Sequence, residues 1–219
     1  MLVMKRLILG FVLTISSITN LVAQTDARAK AILAEVGKKY RSYDVIKTDF
    51  SYSINNPQAN IKETQTGTLY AKSKVNKYKI VTNGQELLSD GKSQWTYLKD
   101  DKEVQVSDVD NSSNALNPAK LFTIYEKGFK YLYTGDTKAN GKVYHMIDLT
   151  PLDSKNSFFK VRLKVDKATK LINSAVIFDK NGSRYTYTIK SFTPNVKVAD
   201  TFFAFDAKKY PGVEVVDLR

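Results

Sequence analysis

Gln85-Glu86-Leu87-Leu88-Ser89-Asp90-Gly91-Lys92-Ser93-Gln94-Trp95-Thr96-Tyr97 is two strand-forming runs broken by Asp90-Gly91. Asp-Gly between apolar or aromatic runs is a strong hairpin signal, because the tight primed turn needs positive φ at both central residues. The second run carries Trp95, the one tryptophan of the chain, and Tyr97. Residues two apart share one face of a strand. The hairpin therefore presents both rings to one side, and that side needs an apolar cover.

The same grammar extends in both directions. Ile46, Thr48, Phe50, Tyr52 and Ile54 alternate with Lys47, Asp49, Ser51 and Ser53 until Asn55-Asn56-Pro57 ends the run. Strands are expected over 61–71 and 75–82, with Asn83-Gly84 as the next turn, and Lys99-Asp100-Asp101-Lys102 returns 94–98 onto 103–107. Later runs at 129–134 and 142–150 flank Asn140-Gly141. In 157–165, Phe159, Val161, Leu163 and Val165 share one face and Lys160, Arg162 and Lys164 the other. Runs at 171–178 and 184–192 and a last short strand holding Phe203 and Phe205 complete the series. About ten or eleven antiparallel strands joined by short turns argue a meander that curls into a barrel or half-barrel.

Two segments break the period. Thr25 to Tyr43 places Ile32, Leu33, Val36, Tyr40 and Tyr43 at three- and four-residue steps, the mark of an amphipathic helix. Asn117-Pro118 opens a second helix, with Asn as cap and Pro at the first helical position. Leu121, Phe122, Ile124 and Tyr125 give it an apolar surface, and Gly128 ends it. Two helices are too few for a layer but enough to cover one side of a curled sheet.

The N-terminus reads as an export signal over residues 1–23. Lys5 and Arg6 precede an apolar run from Leu7 to Leu13, and Ala23 is a small residue suited to cleavage. Thr14, Ser16, Ser17, Thr19 and Asn20 keep the apolar run below the roughly 20 residues of a membrane span. Residues 24–219 are then expected to form one domain, because the five prolines are scattered and no linker divides it. The 219-residue chain carries a net charge of +12, of which Lys5 and Arg6 supply two. An exported protein of this charge is expected to meet anionic head groups or an acidic partner rather than nucleic acid.

The chemical inventory is thin. With no Cys there are no disulfides and no thiolate metal sites. His145 is the only histidine and sits among strand residues, where a packed or hydrogen-bonded role is expected. No nucleophile elbow and no phosphate-binding glycine loop occurs. Neither a catalytic group, a metal site nor a cofactor is expected. What is abundant is aromatic and aliphatic strand surface.

Several stretches together resemble the LolA-type outer-membrane lipoprotein carrier proteins, in the forms seen in Bacteroidetes-like bacteria. They are Thr48-Asp49-Phe50-Ser51, Gln65-Thr66-Gly67-Thr68-Leu69-Tyr70, Ser89-Asp90-Gly91-Lys92 with Trp95 and Tyr97, Asn117-Pro118, and Phe203-Ala204-Phe205 followed by Pro211-Gly212-Val213-Glu214-Val215. The resemblance implies a mainly β fold with two to three helices. This would be an unclosed antiparallel β-barrel with a helical lid, formed by 25–43 and 118–127, over an apolar cavity. It also implies a monomeric periplasmic shuttle. Such proteins take acylated lipoproteins from an ATP-driven (ABC) release complex of the inner membrane and pass them to an outer-membrane acceptor or to the membrane itself.

Phe50, Tyr52, Leu69, Tyr78, Trp95, Tyr97, Leu121, Phe122, Val161 and Leu163 are the residues expected to bind acyl chains. One departure stands out. Studied members latch the lid with an Arg at the end of the strand matching Leu69–Ala71, where this chain has Lys72-Ser73-Lys74. Lys72 or Lys74 would contact the lid as a point charge without the planar fork of donors. Lys72, Lys74, Lys77 and Lys79 form a candidate basic docking rim. The competing readings are a lipid or glycolipid carrier or sensor on the same half-barrel, and a non-enzymatic surface module that binds a polymer through its Tyr-rich strands.

Overall fold

The computed structural model describes residues 26–109 and 121–219. The expected export signal and the Asn117-Pro118 helix start lie outside the described residues. Among the described residues, alternation of apolar and polar residues builds thirteen strands. They are β1 (Ile46–Asn56), β2 (Ile61–Lys72), β3 (Lys77–Thr82), β4 (Gln85–Asp90), β5 (Ser93–Leu98), β6 (Glu103–Asp108), β7 (Phe129–Ala139), β8 (Lys142–Pro151), β9 (Phe158–Asp166), β10 (Ile172–Asp179), β11 (Arg184–Ile189), β12 (Thr193–Pro194) and β13 (Glu214–Asp217).

All belong to one sheet in the order β13-β6-β5-β4-β3-β2-β1-β11-β10-β9-β8-β7, with β12 paired to β1. Two antiparallel meanders, β1–β6 and β7–β11, are joined where β1 pairs with β11. The sheet is unclosed, and β7 and β13 are its ends. β13 runs parallel to β6, unlike the other pairs.

Among the described residues one α-helix, α1 (residues 26–41), lies against this sheet. Ala29, Ile32, Leu33, Val36 and Tyr40 are buried on one side of it. The second expected helix does not form over its described part. Residues 121–126 run as two short 3-10 turns ending before Gly128, whose φ is +84°. Leu121, Phe122 and Tyr125 still reach the core. Thr, Ile, Tyr and Phe are middling helix formers, and burial of two rings and a leucine outweighs helical regularity here. The expected strand at Phe203 and Phe205 is also absent: Asp200–Phe203 is a 3-10 turn, and the last strand is β13.

Two local expectations need correction. At the Asp90-Gly91 hairpin only Gly91 has positive φ. Asp90 ends β4, and its carboxylate accepts from the amides of Lys92 (2.8 Å) and Ser93 (2.9 Å), an Asx-type closure. A Cβ on Gly91 would meet the Val75 carbonyl at 2.6 Å, so the turn needs glycine for space as well as for φ. In β9 a bulge pairs Phe178 with Lys160 but Asp179 with Phe158. The extra residue throws Phe159 outward to 51% exposure and turns Phe158 into the core at 1%.

Candidate functional site

The pairing register fixes which side chains share a face. Phe50 is opposite Gly67 and Ile189, Leu69 opposite Thr48 and Ile80, and Tyr78 opposite Ala71. On the other meander Val161 lies between Leu149 and Ile177, and Leu163 between Ile147 and Ala175. These residues line one inner face and join the helix residues in a single buried cluster. A Cβ on Gly67 would lie 2.8 Å from the Phe50 ring, so this glycine makes room for that ring.

The structure thus brings together Phe50, Leu69, Tyr78, Leu121, Phe122, Val161 and Leu163, each no more than 6% exposed, with Tyr52 packed at the margin. Tyr52 also lies 4.7 Å from the Tyr187 ring and stacks on Tyr185. Burial, with the neighbouring Tyr185, pushes its phenol pKa up to about 12.

Helix α1 covers this face and is tied to it by few polar contacts. The Ile172 amide donates to the Tyr40 phenol oxygen at 3.0 Å, and the Tyr40 ring lies 4.7 Å from Phe122. Lys170 pairs with Glu35 at 3.0 Å, and Arg41 pairs with Glu126. The Arg28 guanidinium sits 4.0 Å over Tyr133. Beside α1 a cleft of about 470 Å³ separates Lys30, Leu33, Ala34, Gly37 and Arg41 from Tyr125, Glu126, Lys127 and Tyr131. The Thr48 and Tyr125 hydroxyls are buried without a hydrogen-bond partner among the described residues.

Trp95 and Tyr97 are not on this face. Trp95 pairs with Leu88 and Val106, Tyr97 with Glu86 and Val104, and the Leu88 row continues to Lys79 and Tyr70. The hairpin therefore turns both rings to the outer face. The apolar cover there is the C-terminal segment. Tyr97 meets Tyr210 at 4.8 Å, Phe202 meets Tyr70 at 4.8 Å, and Phe203 is fully buried.

The same segment and β4 pair with three of the four lysines of the supposed docking rim. Asp200 pairs with Lys77 (2.9 Å) and Lys72 (3.3 Å), and Glu86 pairs with Lys79 (2.8 Å). The Lys77 and Lys72 ammonium groups hold the Asp200 carboxyl below its ordinary range. Lys72 also reaches Asp44, beyond the end of α1, rather than the helix, and Lys74 is exposed. Among the described residues, then, Lys72 meets Asp200 and Asp44 rather than α1, and no latch from this lysine pair is seen there. The tie between α1 and the 3-10 turn is instead Arg41–Glu126.

His145 lies on the inner face beside Asp136, with Nδ1 2.6 Å from the carboxylate. Tyr133 donates to the same carboxylate at 2.6 Å, and Lys167 reaches it at 3.3 Å. Sequence reasoning missed a second, polar cavity of about 810 Å³, which opens where β2 runs past the end of β3, beside the β3–β4 and β5–β6 turns. Thr64, Gln65, Thr66, Thr82, Asn83, Gly84, Gln85, Leu98, Asp100 and Asp101 line it.

The family description of the outer membrane lipoprotein carrier protein LolA matches residues 41–206. The chain belongs to the LolA family. No match is found among curated sequences. Solved structures share the LolA-like fold seen here at low identity. An uncharacterised conserved protein from Thermus thermophilus is 12% identical with a TM-score of 0.55, over 87% of this chain and 99% of that one. A DUF1329 family protein from Desulfovibrio piger is 15% identical with a TM-score of 0.51, over 84% and 98%. LprF from Mycobacterium bovis is 12% identical with a TM-score of 0.50, over 79% and 96%. Among the described residues no helix is long and apolar enough to cross a membrane.

Proposed function

We propose that this LolA-family chain is a non-enzymatic periplasmic carrier that encloses the acyl chains of lipoproteins between the inner face of its sheet and α1. It takes them from an ABC release complex at the inner membrane and hands them to the outer membrane. The observation that carries the reading is the apolar inner face of an open sheet, covered by one amphipathic helix. Each methylene removed from water is worth about 0.8 kcal/mol, so a sixteen-carbon chain gains on the order of 12 kcal/mol. Only an enclosing site offers that gain to a protein moving through water.

Phe50, Leu69, Val161 and Leu163 are already packed against α1 and the 121–126 segment. Cargo reaches them only if those elements move aside, so α1 acts as the lid. The cost of displacing it lowers the apparent affinity and makes release without ATP feasible.

The test is release from spheroplasts. The purified chain, lacking residues 1–23, should bring lipoproteins into the soluble fraction as protein-bound complexes. Release of lipid but never of lipoprotein would overturn the reading. Linking α1 to the sheet through Glu35→Cys and Lys170→Cys with a short bismaleimide should abolish uptake, and unchanged uptake would sink the lid.

A further inference from the structure

The C-terminal segment covers one half of the outer face. Its rings meet Tyr70 and Tyr97, and Asp200 pairs with Lys72 and Lys77. The outer face of β7–β11 stays open: Lys130, Leu132, Lys142, Phe159 and Arg184 are exposed there. The register places its cations. Lys160, Arg162 and Lys164 alternate along β9 with the buried Val161 and Leu163. Lys160 is opposite Phe178, which is opposite Arg184. Lys130 on β7 and Lys142 on β8 share this side of the sheet.

These six cations stand against two carboxylates on the same face, Asp148 and Asp166. Both carboxylates are sunk, at 8% and 7% exposure. Asp148 accepts from Arg162 at 2.7 and 2.8 Å, with Lys160 at 3.9 Å, and Lys142 lies 3.8 Å from Asp166. The surroundings do not cancel the excess. At one end of the face Lys155 and Lys180 match Asp153 and Asp179. At the other, Lys167 and Lys170 pair with Asp136 and Glu35. Beyond β11, Asp49 on β1 is matched by Lys47. The face therefore keeps a clear surplus of positive charge, and part of the chain's +12 has a definite address.

The cations are carried on rings. The Lys160 ammonium lies 4.3 Å and the Arg184 guanidinium 5.7 Å from the Phe178 ring, and Lys164 lies 4.2 Å over Tyr144. They are spread over several strands rather than converging on one point, which fits a plane of many anionic head groups better than a single anion. Apolar side chains border them. Phe159 is 51% exposed with its ring 6.1 Å from Phe178, and Leu152 and Leu132 are exposed as well. Cations beside exposed apolar groups suit a lipid surface, where the charges meet phosphates and the apolar groups enter the head-group boundary. We propose that the outer face of β7–β11 docks the chain on anionic lipid, with Lys160, Lys164 and Arg184 as the main contacts and Phe159 as the apolar anchor. The proposal goes beyond the carrier reading. A chain docked this way keeps α1 on the far side of the sheet.

Co-sedimentation of the chain lacking residues 1–23 with sucrose-loaded vesicles tests it. The probes are vesicles of phosphatidylcholine alone and of phosphatidylcholine with phosphatidylglycerol in equal parts. At low salt the chain should bind the mixed vesicles far more tightly than the neutral ones, and high salt should remove the difference. Lys160→Gln with Lys164→Gln and Arg184→Gln should weaken that binding by about a hundredfold, at about fivefold per cation, with the urea midpoint unchanged. Lys38→Gln with Lys102→Gln and Lys208→Gln removes the same charge from exposed sites off this face and should cost far less. Phe159→Ala should cost about fivefold through lost apolar burial.

Equal binding to the two vesicle types would overturn the proposal. So would equal losses in the two triple variants, because net charge alone would then account for the attraction. No binding to mixed vesicles, together with retention on an immobilised Glu-rich peptide that the Lys160 triple variant loses, would assign the face to an acidic protein and overturn the lipid assignment. The vesicles contain no lipoprotein, so each of these failures leaves the carrier reading standing, and that reading is tested separately by release from spheroplasts.

Discussion

The amide of Ile172 donates a hydrogen bond to the phenol oxygen of Tyr40, joining the last turn of α1 to the first residue of β10. Both residues are buried, at 1% and 4% exposure. Tyr40→Phe keeps the ring against Phe122 and Phe192 but strands a buried amide. An unsatisfied buried donor costs about 1–3 kcal/mol. The variant should unfold at correspondingly lower urea and lose amide-exchange protection first in α1. Unaltered protection in α1 would show that this bond does not hold the helix.

Trp95 lies between Leu88 and Val106 on the outer face, with the whole sheet between it and α1. Binding of an acylated ligand under α1 should leave its fluorescence maximum in place, while unfolding shifts it to the red. A marked blue shift on ligand uptake would mean that the outer face, not the inner, receives cargo.

Phe203 is fully buried where the C-terminal segment crosses the outer face. Its ring meets Phe202 edge-on at 5.5 Å. Phe203→Ala should cost about 3–5 kcal/mol, the usual range for emptying a buried aromatic site. Chemical denaturation of the variant reads this directly. Because Phe203 is remote from the inner face, uptake by the fraction that remains folded should be unchanged.

The Asp136 carboxyl is held well below the usual carboxylate range, first by the Tyr133 hydroxyl and, against partial desolvation, by His145 and Lys167. A depressed carboxyl stabilises the fold above the unfolded value near pH 4 and loses that contribution as pH falls through the folded value. Asp136→Asn should therefore lower stability at neutral pH and flatten the acid limb below about pH 4. Thermal melts across that range check the sign. An acid limb as steep as that of the parent would exclude this cluster as its source.

Most of the strand series was legible because turns and alternation are local. Asn140-Gly141, with φ of +49° and +72°, closes β7 and β8 where the dipeptide says it should. The facing of Trp95 was harder. Alternation puts Trp95 with Tyr97, but both faces of β4 and β5 carry apolar residues, Leu87 on one and Leu88 on the other. Only the chained register from Phe50 through Gly67 and Thr82 shows which is inner. The cover for Tyr97 comes from Tyr210, more than a hundred residues along the chain, which no local pattern foretells. Phe159 was misassigned because a single inserted residue in β9 reverses parity, and a bulge leaves no compositional trace. The 121–126 segment shows the converse: its inward residues were correctly read from their apolar character, although the helix expected to present them does not form there.

The junction of β1 with β11 has a consequence for how the chain acquires its fold. β1 follows α1 directly, yet Phe50 finds its partner Ile189 only after nearly all the remaining strands have been made. Contacts so distant in sequence slow folding. Each meander is built from strands that are neighbours in sequence, whereas the seam that makes them one sheet joins residues far apart in the chain. A chain arranged this way cannot complete its sheet until β11 has been made.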